Sequence, residues 1–316
     1  MPRCPGHWTH GANGQGADSM ANIRAKKSLG QNFLVDGNII ANIVKAADIR
    51  PEDMILEIGP GRGALTSRLV DSAARVVAVE WDRELVALLR RELGHHETLE
   101  IIHGDILRVD FHKDLPLSGK DKWKVVANLP YNISSQILFR FIDERSLFSE
   151  LLLMLQKEVG DRLLAPPSCK DYGVLTVLSR LYFDVEKVMP VKPSSFRPIP
   201  KVDSVVLRFR ILPHPRIDVG DEAFFRRVVK ASFSQRRKTL FNCLKSMEYF
   251  PDEAALRQVF DCACIDARRR GETLSLEEFA LLSKEMLAMG RVMNSSLHVG
   301  NADSLADYAH PRRDNG

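Results

Sequence analysis

Four short stretches of this chain combine residue types that can do chemistry. The first is Asn128-Leu129-Pro130-Tyr131, which offers an amide, carbonyls held by a proline, and an aromatic ring. It follows an apolar run at 124–127 and precedes Ser134-Ser135-Gln136-Ile137-Leu138-Phe139, a helix by its pattern with serines at its cap. Taken alone it is a turn with a packed tyrosine. At the carboxyl end of a strand in an open sheet it suits a planar base with an exocyclic amine. The second stretch, Gly59-Pro60-Gly61-Arg62-Gly63, follows the apolar run 54–58. Glycines there let the backbone approach a ligand and turn into a helix whose N-terminus faces it. The third is Glu80, which ends the run 76–79 about twenty residues on, where an acid binds ribose hydroxyls. The fourth is Asp105, after Gly104, at the end of 99–102. It can accept from an adenine amine or merely form a turn.

The last three stretches together describe an adenosine-containing cofactor, and by themselves leave nicotinamide dinucleotide and S-adenosylmethionine both open. Asn128-Leu129-Pro130-Tyr131 separates the two, because alkylating an amine requires such a loop and hydride transfer does not. The N6 lone pair of adenine is delocalised into the ring and is a poor nucleophile. Two acceptors, the Asn128 side-chain oxygen and a backbone carbonyl such as that of Leu129, can hold both N–H groups and push the nitrogen toward tetrahedral geometry. Tyr131 can stack on the base. The contribution is positioning and electrostatics, so no general base is required.

These residues need a frame. Strands at 54–58, 76–79, 99–102, 124–127 and 151–155 alternate with helical patterns, which predicts an α/β fold with a doubly wound, mostly parallel sheet. Asp36 stands at the N-cap of a helix carrying Ile39, Ile40, Ile43, Val44 and Ala47 on one face, broken at Pro51-Glu52-Asp53. Two further strands at 181–191 and 205–211 flank a proline-rich loop, and 221–289 is purely helical. The predicted division is an N-terminal disordered extension over 1–22, the α/β domain over 23–212, a small all-helical domain over 213–289, and a disordered tail over 290–316.

Composition bounds the classes. The chain has 316 residues, 45% hydrophobic and 27% charged, with a net charge of +4, as in an ordinary globular protein able to bury a full core. Its five cysteines are odd in number and irregularly spaced, which suggests free thiols in a reducing compartment. Nothing reads as a membrane span or a secretory signal, and Met20 is an alternative start. Cys4, His7 and His10 read as unrelated side chains of the N-terminal arm, so no metal site is expected. Arg226, Arg227, Lys230, Arg236, Arg237 and Lys238 crowd two neighbouring helical segments, with Arg268, Arg269 and Arg270 further on. Such a cluster is either a solvated helix face or a phosphate-binding surface, which Lys26 and Lys27 would extend. Phe225, Phe233 and Phe241 read as core of the helical domain.

With these stretches stand Lys27-Ser28-Leu29-Gly30-Gln31-Asn32-Phe33-Leu34, Leu155-Gln156-Lys157-Glu158-Val159 and Phe196-Arg197-Pro198. Pro200-Lys201-Val202-Asp203-Ser204 and Phe233-Ser234-Gln235-Arg236-Arg237-Lys238-Thr239-Leu240 complete the set. As a set, spread over all but the two ends, they make the chain resemble the ribosomal RNA adenine N6,N6-dimethyltransferases, most closely the bacterial small-subunit branch. The resemblance implies a Rossmann-like domain dependent on S-adenosylmethionine. It implies that Asn32 and Leu34 close over the cofactor, while Gly59, Glu80 and Asp105 bind its methionyl, ribose and adenine parts. Gly61, Ile106 and Asn128 are assigned to the same cofactor surface. Phe196 would be the second aromatic that sandwiches a flipped adenine with Tyr131. The implied product is dimethyladenosine at two adjacent positions near the 3′ end of small-subunit (16S) RNA, made by a cytoplasmic monomer acting on RNA or on the immature subunit. The rivals are a large-subunit methylase of the macrolide-resistance type, a DNA adenine methyltransferase, and an assembly factor that acts mainly by binding.

Overall fold

A computed structural model describes residues 25–26, 29–115 and 122–303. The expectations for residues 1–22 and for Lys27 lie outside these residues.

The strands are β1 (Phe33–Leu34), β2 (Met54–Ile58), β3 (Arg75–Glu80), β4 (Leu99–His103), β5 (Trp123–Asn128), β6 (Phe148–Gln156), β7 (Phe183–Val191), β8 (Phe196–Arg197) and β9 (Ser204–Ile211). Seven form one sheet in the order β4-β3-β2-β5-β6-β9-β7. The five from β4 to β6 pair in parallel, as the alternation with helices predicts. Central strands such as β3 are near-continuous buried apolar runs, as expected where both faces are covered. Because these strands run in one direction, Ile58, Glu80, His103 and Asn128 all finish on one edge of the sheet. β2 has β3 on one side and β5 on the other, so the edge contains a topological switch point, where α/β sheets bind ligands. β1 and β8 form a separate antiparallel pair, matching Phe33 with Arg197 and Leu34 with Phe196.

Local signals set most helix ends. Asp36 caps α1 (Gly37–Ala47), its carboxylate accepting from the Asn38 and Ile39 amides at 3.0 and 3.3 Å. The helix stops at Asp48, in left-handed conformation with φ of 44°, three residues before the expected break at Pro51. After the glycine loop comes a single short turn, α2 (Thr66–Leu69). Asp82 caps α3 (Arg83–Leu93), and α4 (Phe111–Asp114) follows the Asp105 loop. The serine cap expected for α5 (Ser134–Asp143) is not made: Ile133 holds the cap position, and the Ser134 hydroxyl donates to the Tyr131 carbonyl at 3.3 Å.

The chain divides into two compact units, residues 1–157 with 187–208, and residues 158–186 with 209–316. A single boundary at 212 is therefore not what the structure has. The segment after β6 forms α6 (Lys157–Leu164) and α7 (Val174–Tyr182). Within the second unit α7 packs on α8 (Glu222–Ser232) and α11 (Leu276–Asp303). The predicted strand at 181–191 begins only at Phe183, once that helix has ended. The unit is completed by α9 (Leu240–Lys245) and α10 (Glu253–Cys262). Phe225 and Phe241 are core there, as expected, and Phe233 packs its ring on Tyr172 and Phe279. The tail predicted from 290 is corrected as far as Asp303, where α11 ends, and its remainder, 304–316, lies outside the described residues. At Gly290 a Cβ would lie 2.5 Å from the Tyr249 hydroxyl, so the glycine admits a close neighbour inside the helix.

Candidate active site

At the carboxyl edge of the sheet lies a cavity of about 370 Å³, wholly within the first unit. It is lined by the segment 29–34, the glycine loop, Glu80, the loop after β4 and the loop after β5. Among the expected site residues, Asn32, Leu34, Gly59, Gly61, Glu80, Asp105, Ile106, Asn128, Leu129, Pro130 and Tyr131 all reach it.

The glycine loop is dictated by backbone geometry. Gly59, Gly61 and Gly63 have φ of 64°, 59° and 81°, a region that side chains with a Cβ avoid. Gly61 also makes room, because a Cβ on it would lie 3.0 Å from the Phe33 ring. A Cβ on Gly59 would sit 3.6 Å from the Pro130 ring, so the loop expected to hold the cofactor and the loop expected to hold the acceptor lie side by side.

Two buried acids lie beside this loop. Glu80, 6% exposed, accepts from the Gly61 amide at 3.1 Å and the Asp82 amide at 2.8 Å. Burial raises its pKa, and those amide bonds oppose the rise. Each carboxylate oxygen still has a lone pair for a ligand hydroxyl. Glu57, 2% exposed, has one oxygen with no hydrogen-bond partner and is pushed up to about 8 by burial, with the Glu80 charge adding to it. Asp105 forms the expected turn and stands at the cavity. Its Oδ1 closes a turn by accepting from the Leu107 amide at 2.9 Å, and the residue lines the cavity.

The acceptor loop is stitched to the segment 29–34. The Asn128 side-chain nitrogen donates to the Asn32 carbonyl at 3.3 Å, and Asn32 donates to the Gly30 carbonyl at 3.1 Å. That bond sets the orientation of the Asn128 amide and leaves its Oδ1, buried and without a partner, as a free acceptor. The Leu129 amide donates to Met154 at 3.1 Å, and the Pro130 carbonyl accepts from Ile133 at 3.2 Å. The Tyr131 hydroxyl shares a 2.6 Å hydrogen bond with Ser204, while burial raises its pKa.

Two expectations are corrected. Phe196 does not join Tyr131 at the cavity. It is fully buried, its strand position opposite Leu34 turning the ring into the core with Ile43, Met154 and Val206. Lys26 is not a free cation for a phosphate surface. Its ammonium pairs with Asp82 at 2.8 Å and Glu84 at 3.2 Å. The reason is the Asp82 side chain, 1% exposed, which burial would push up. Hydrogen bonds from Lys26 and from Gln31 (3.0 Å) outweigh this and hold it below the ordinary carboxylate range. Lys26 and Gln31 thus fasten the 29–34 segment to the start of α3.

Trp81 is a lining residue that the sequence reading passed over. It follows Glu80, is 57% exposed, and its ring centroid is 6.5 Å from that of His103. A large aromatic directly after a strand-end acid is the signal that was available.

In the second unit, Lys230, Arg236, Arg237 and Lys238 are exposed, with Arg236 3.6 Å from Glu272. Arg226 and Arg227 lie 5.9 and 5.7 Å from the Tyr182 and Phe224 ring centroids. Arg268 and Arg269 are engaged with Asp266 and Glu278.

The residues fit an adenosyl sulfonium cofactor. Backbone approaches at positive-φ glycines, two acids stand at successive strand ends, and Glu57, one of whose oxygens is buried without a partner, lines the same cavity. The fold and the site together define a Rossmann-like, S-adenosylmethionine-dependent methyltransferase. Residues 22–282 match the model of the ribosomal RNA adenine dimethylase family, and the chain belongs to that family. The ribosomal RNA small subunit methyltransferase A of Geobacter metallireducens is 55% identical over 268 residues, covering 85% of this chain and 98% of the relative. Its counterpart in Clostridium acetobutylicum is 45% identical over 265 residues, covering 84% and 95%. A crystal structure of a dimethyladenosine transferase from Plasmodium falciparum aligns with TM-score 0.69 at 29% identity, over 82% of this chain and 98% of that one. The 23S rRNA methyltransferase ErmE aligns with TM-score 0.59 at 27% identity, over 81% and 99%.

Proposed function

We propose that this protein uses S-adenosylmethionine to dimethylate N6 of two adjacent adenosines near the 3′ end of small-subunit ribosomal RNA. The observation that carries the reading is the Asn128 amide. Its nitrogen is engaged by Asn32, which leaves a buried, partnerless oxygen on a strand-end residue that lines the cavity. An unpaired buried acceptor is costly, and an amine N–H relieves that cost. The Pro130 carbonyl is committed to a turn, which supports the Leu129 carbonyl as the second acceptor. The cofactor supplies an electrophilic methyl group when bound. Held by two acceptors, the amine nitrogen is pyramidal with its lone pair directed at that group, and Tyr131 supports one face of the base. Gly59, Gly61, Glu80, Asp105 and Ile106 hold the cofactor, and Asn32 and Leu34 cover it.

Arg226, Arg227, Lys230, Arg236, Arg237 and Lys238 form the RNA-binding surface of the second unit, through phosphate contacts. The small-subunit reading draws on relatives at 45% and 55% identity named for that RNA, against 27% for the relative named for 23S RNA. We read the protein as a cytoplasmic monomer acting on the immature small subunit. Asn128→Ala tests the catalytic core of the proposal. It should lower turnover by at least about a hundredfold while RNA still binds. Turnover near the wild-type rate would remove Asn128 from its role.

A further inference from the structure

Arg140 projects from α5, the helix that begins directly after the acceptor loop, and its guanidinium reaches the loop that follows β4. One nitrogen donates to the Ile106 carbonyl and the other to the Val109 carbonyl. The guanidinium carbon lies 3.9 Å from the centroid of the Phe111 ring, so the group is stacked as well as bonded.

The Ile106 carbonyl belongs to the same peptide unit as the Leu107 N–H. That N–H donates to Asp105 Oδ1 at 2.9 Å. Arg140 and the Asp105 carboxylate therefore grip one planar peptide from its two ends. Planarity couples them: fixing the direction of the C=O fixes the direction of the N–H, and with it the oxygen that accepts from it. Arg108 lies 3.7 Å from Asp105 Oδ2, but its side chain is 87% exposed and holds that oxygen weakly. The grip requires a fork. Two carbonyls three residues apart are spanned by a planar guanidinium, whereas an ammonium is a point donor.

We propose that Arg140 is a positioning residue for cofactor recognition, setting the Asp105 carboxylate to accept from the adenine amino group through the peptide that both residues hold. It thereby couples the helix behind the acceptor loop to adenine selectivity. The inference rests on the reading of Asp105 as the adenine acceptor.

The test is the binding of S-adenosylhomocysteine and S-inosylhomocysteine, measured by calorimetry on the full chain for wild type, Arg140→Met, Arg140→Lys and Asp105→Ala. Inosine presents a carbonyl where adenosine presents the amine, so a fixed carboxylate should favour the adenosyl ligand by about tenfold or more. Arg140→Met should bring that ratio close to one. Arg140→Lys should do most of the same with the charge kept, and carries the test if the Met variant fails to fold. A merely structural role would weaken both ligands equally, and an unchanged ratio in the Lys variant would overturn the proposal. Asp105→Ala separates the two levels. If it leaves the preference intact, the reading of Asp105 falls and Arg140 with it. If it abolishes the preference while Arg140→Lys does not, the role of Arg140 alone is wrong.

Discussion

Replacing Glu57 by glutamine should free the fold from a penalty that grows with pH. Glu57 is 2% exposed, and burial raises its pKa from 4.5 to about 8. Below pH 4.5 both the folded and unfolded chains carry the proton, and nothing is lost. Between that value and about 8 the unfolded chain releases the proton while the folded chain retains it, so stability falls as pH rises. Above the folded pKa the loss is complete. At 1.36 kcal/mol per unit the shift corresponds to at most about 5 kcal/mol, and relaxation around the site should reduce this to a few. Unfolding midpoints of wild type and Glu57→Gln, followed from pH 5 to 9, should diverge steadily up to pH 8 in favour of the glutamine variant. A constant difference across that range would refute the argument. Glu57 lines the cavity, so a cationic cofactor bound there would favour its ionised form. Binding of S-adenosylmethionine near pH 7 should therefore release protons, detectable by calorimetry in buffers of different ionisation enthalpy, and the glutamine variant should lose that release.

Gly61→Ala should weaken S-adenosylhomocysteine binding by about tenfold or more, because the new Cβ meets both a φ of 59° and the Phe33 ring at 3.0 Å. Binding within twofold of wild type would show that the loop adapts. Charge reversal of Arg236 and Arg237, both exposed, should reduce RNA affinity and flatten its dependence on salt; an unchanged slope would return them to a solvated helix face.

The sheet-edge half of the site was legible because parallel topology does the placing. Once five strands run one way, Gly59, Glu80, Asp105 and Asn128 must share an edge, whatever their distance in sequence. Phe196 was misjudged for a related reason. The resemblance set it against a flipped adenine, but a two-residue pairing with β1 is enough to turn its ring inward. Lys26 illustrates charge that composition cannot assign, since its use depends on the burial of Asp82, fifty-six positions away. Arg140 was invisible because its partners are backbone carbonyls, which carry no residue-type signal. The stretch from 290 lacks periodicity in sequence, yet α11 runs on through it to Asp303, with Gly290 close against Tyr249.

The most direct measurement is product identification. Purified protein would be incubated with methyl-tritiated S-adenosylmethionine and unmethylated small subunits, large subunits or DNA, followed by digestion to nucleosides. Label in N6,N6-dimethyladenosine from the small-subunit RNA, at two residues per subunit, is the predicted result. Its absence there, or its appearance only in large-subunit RNA or DNA, would contradict the account.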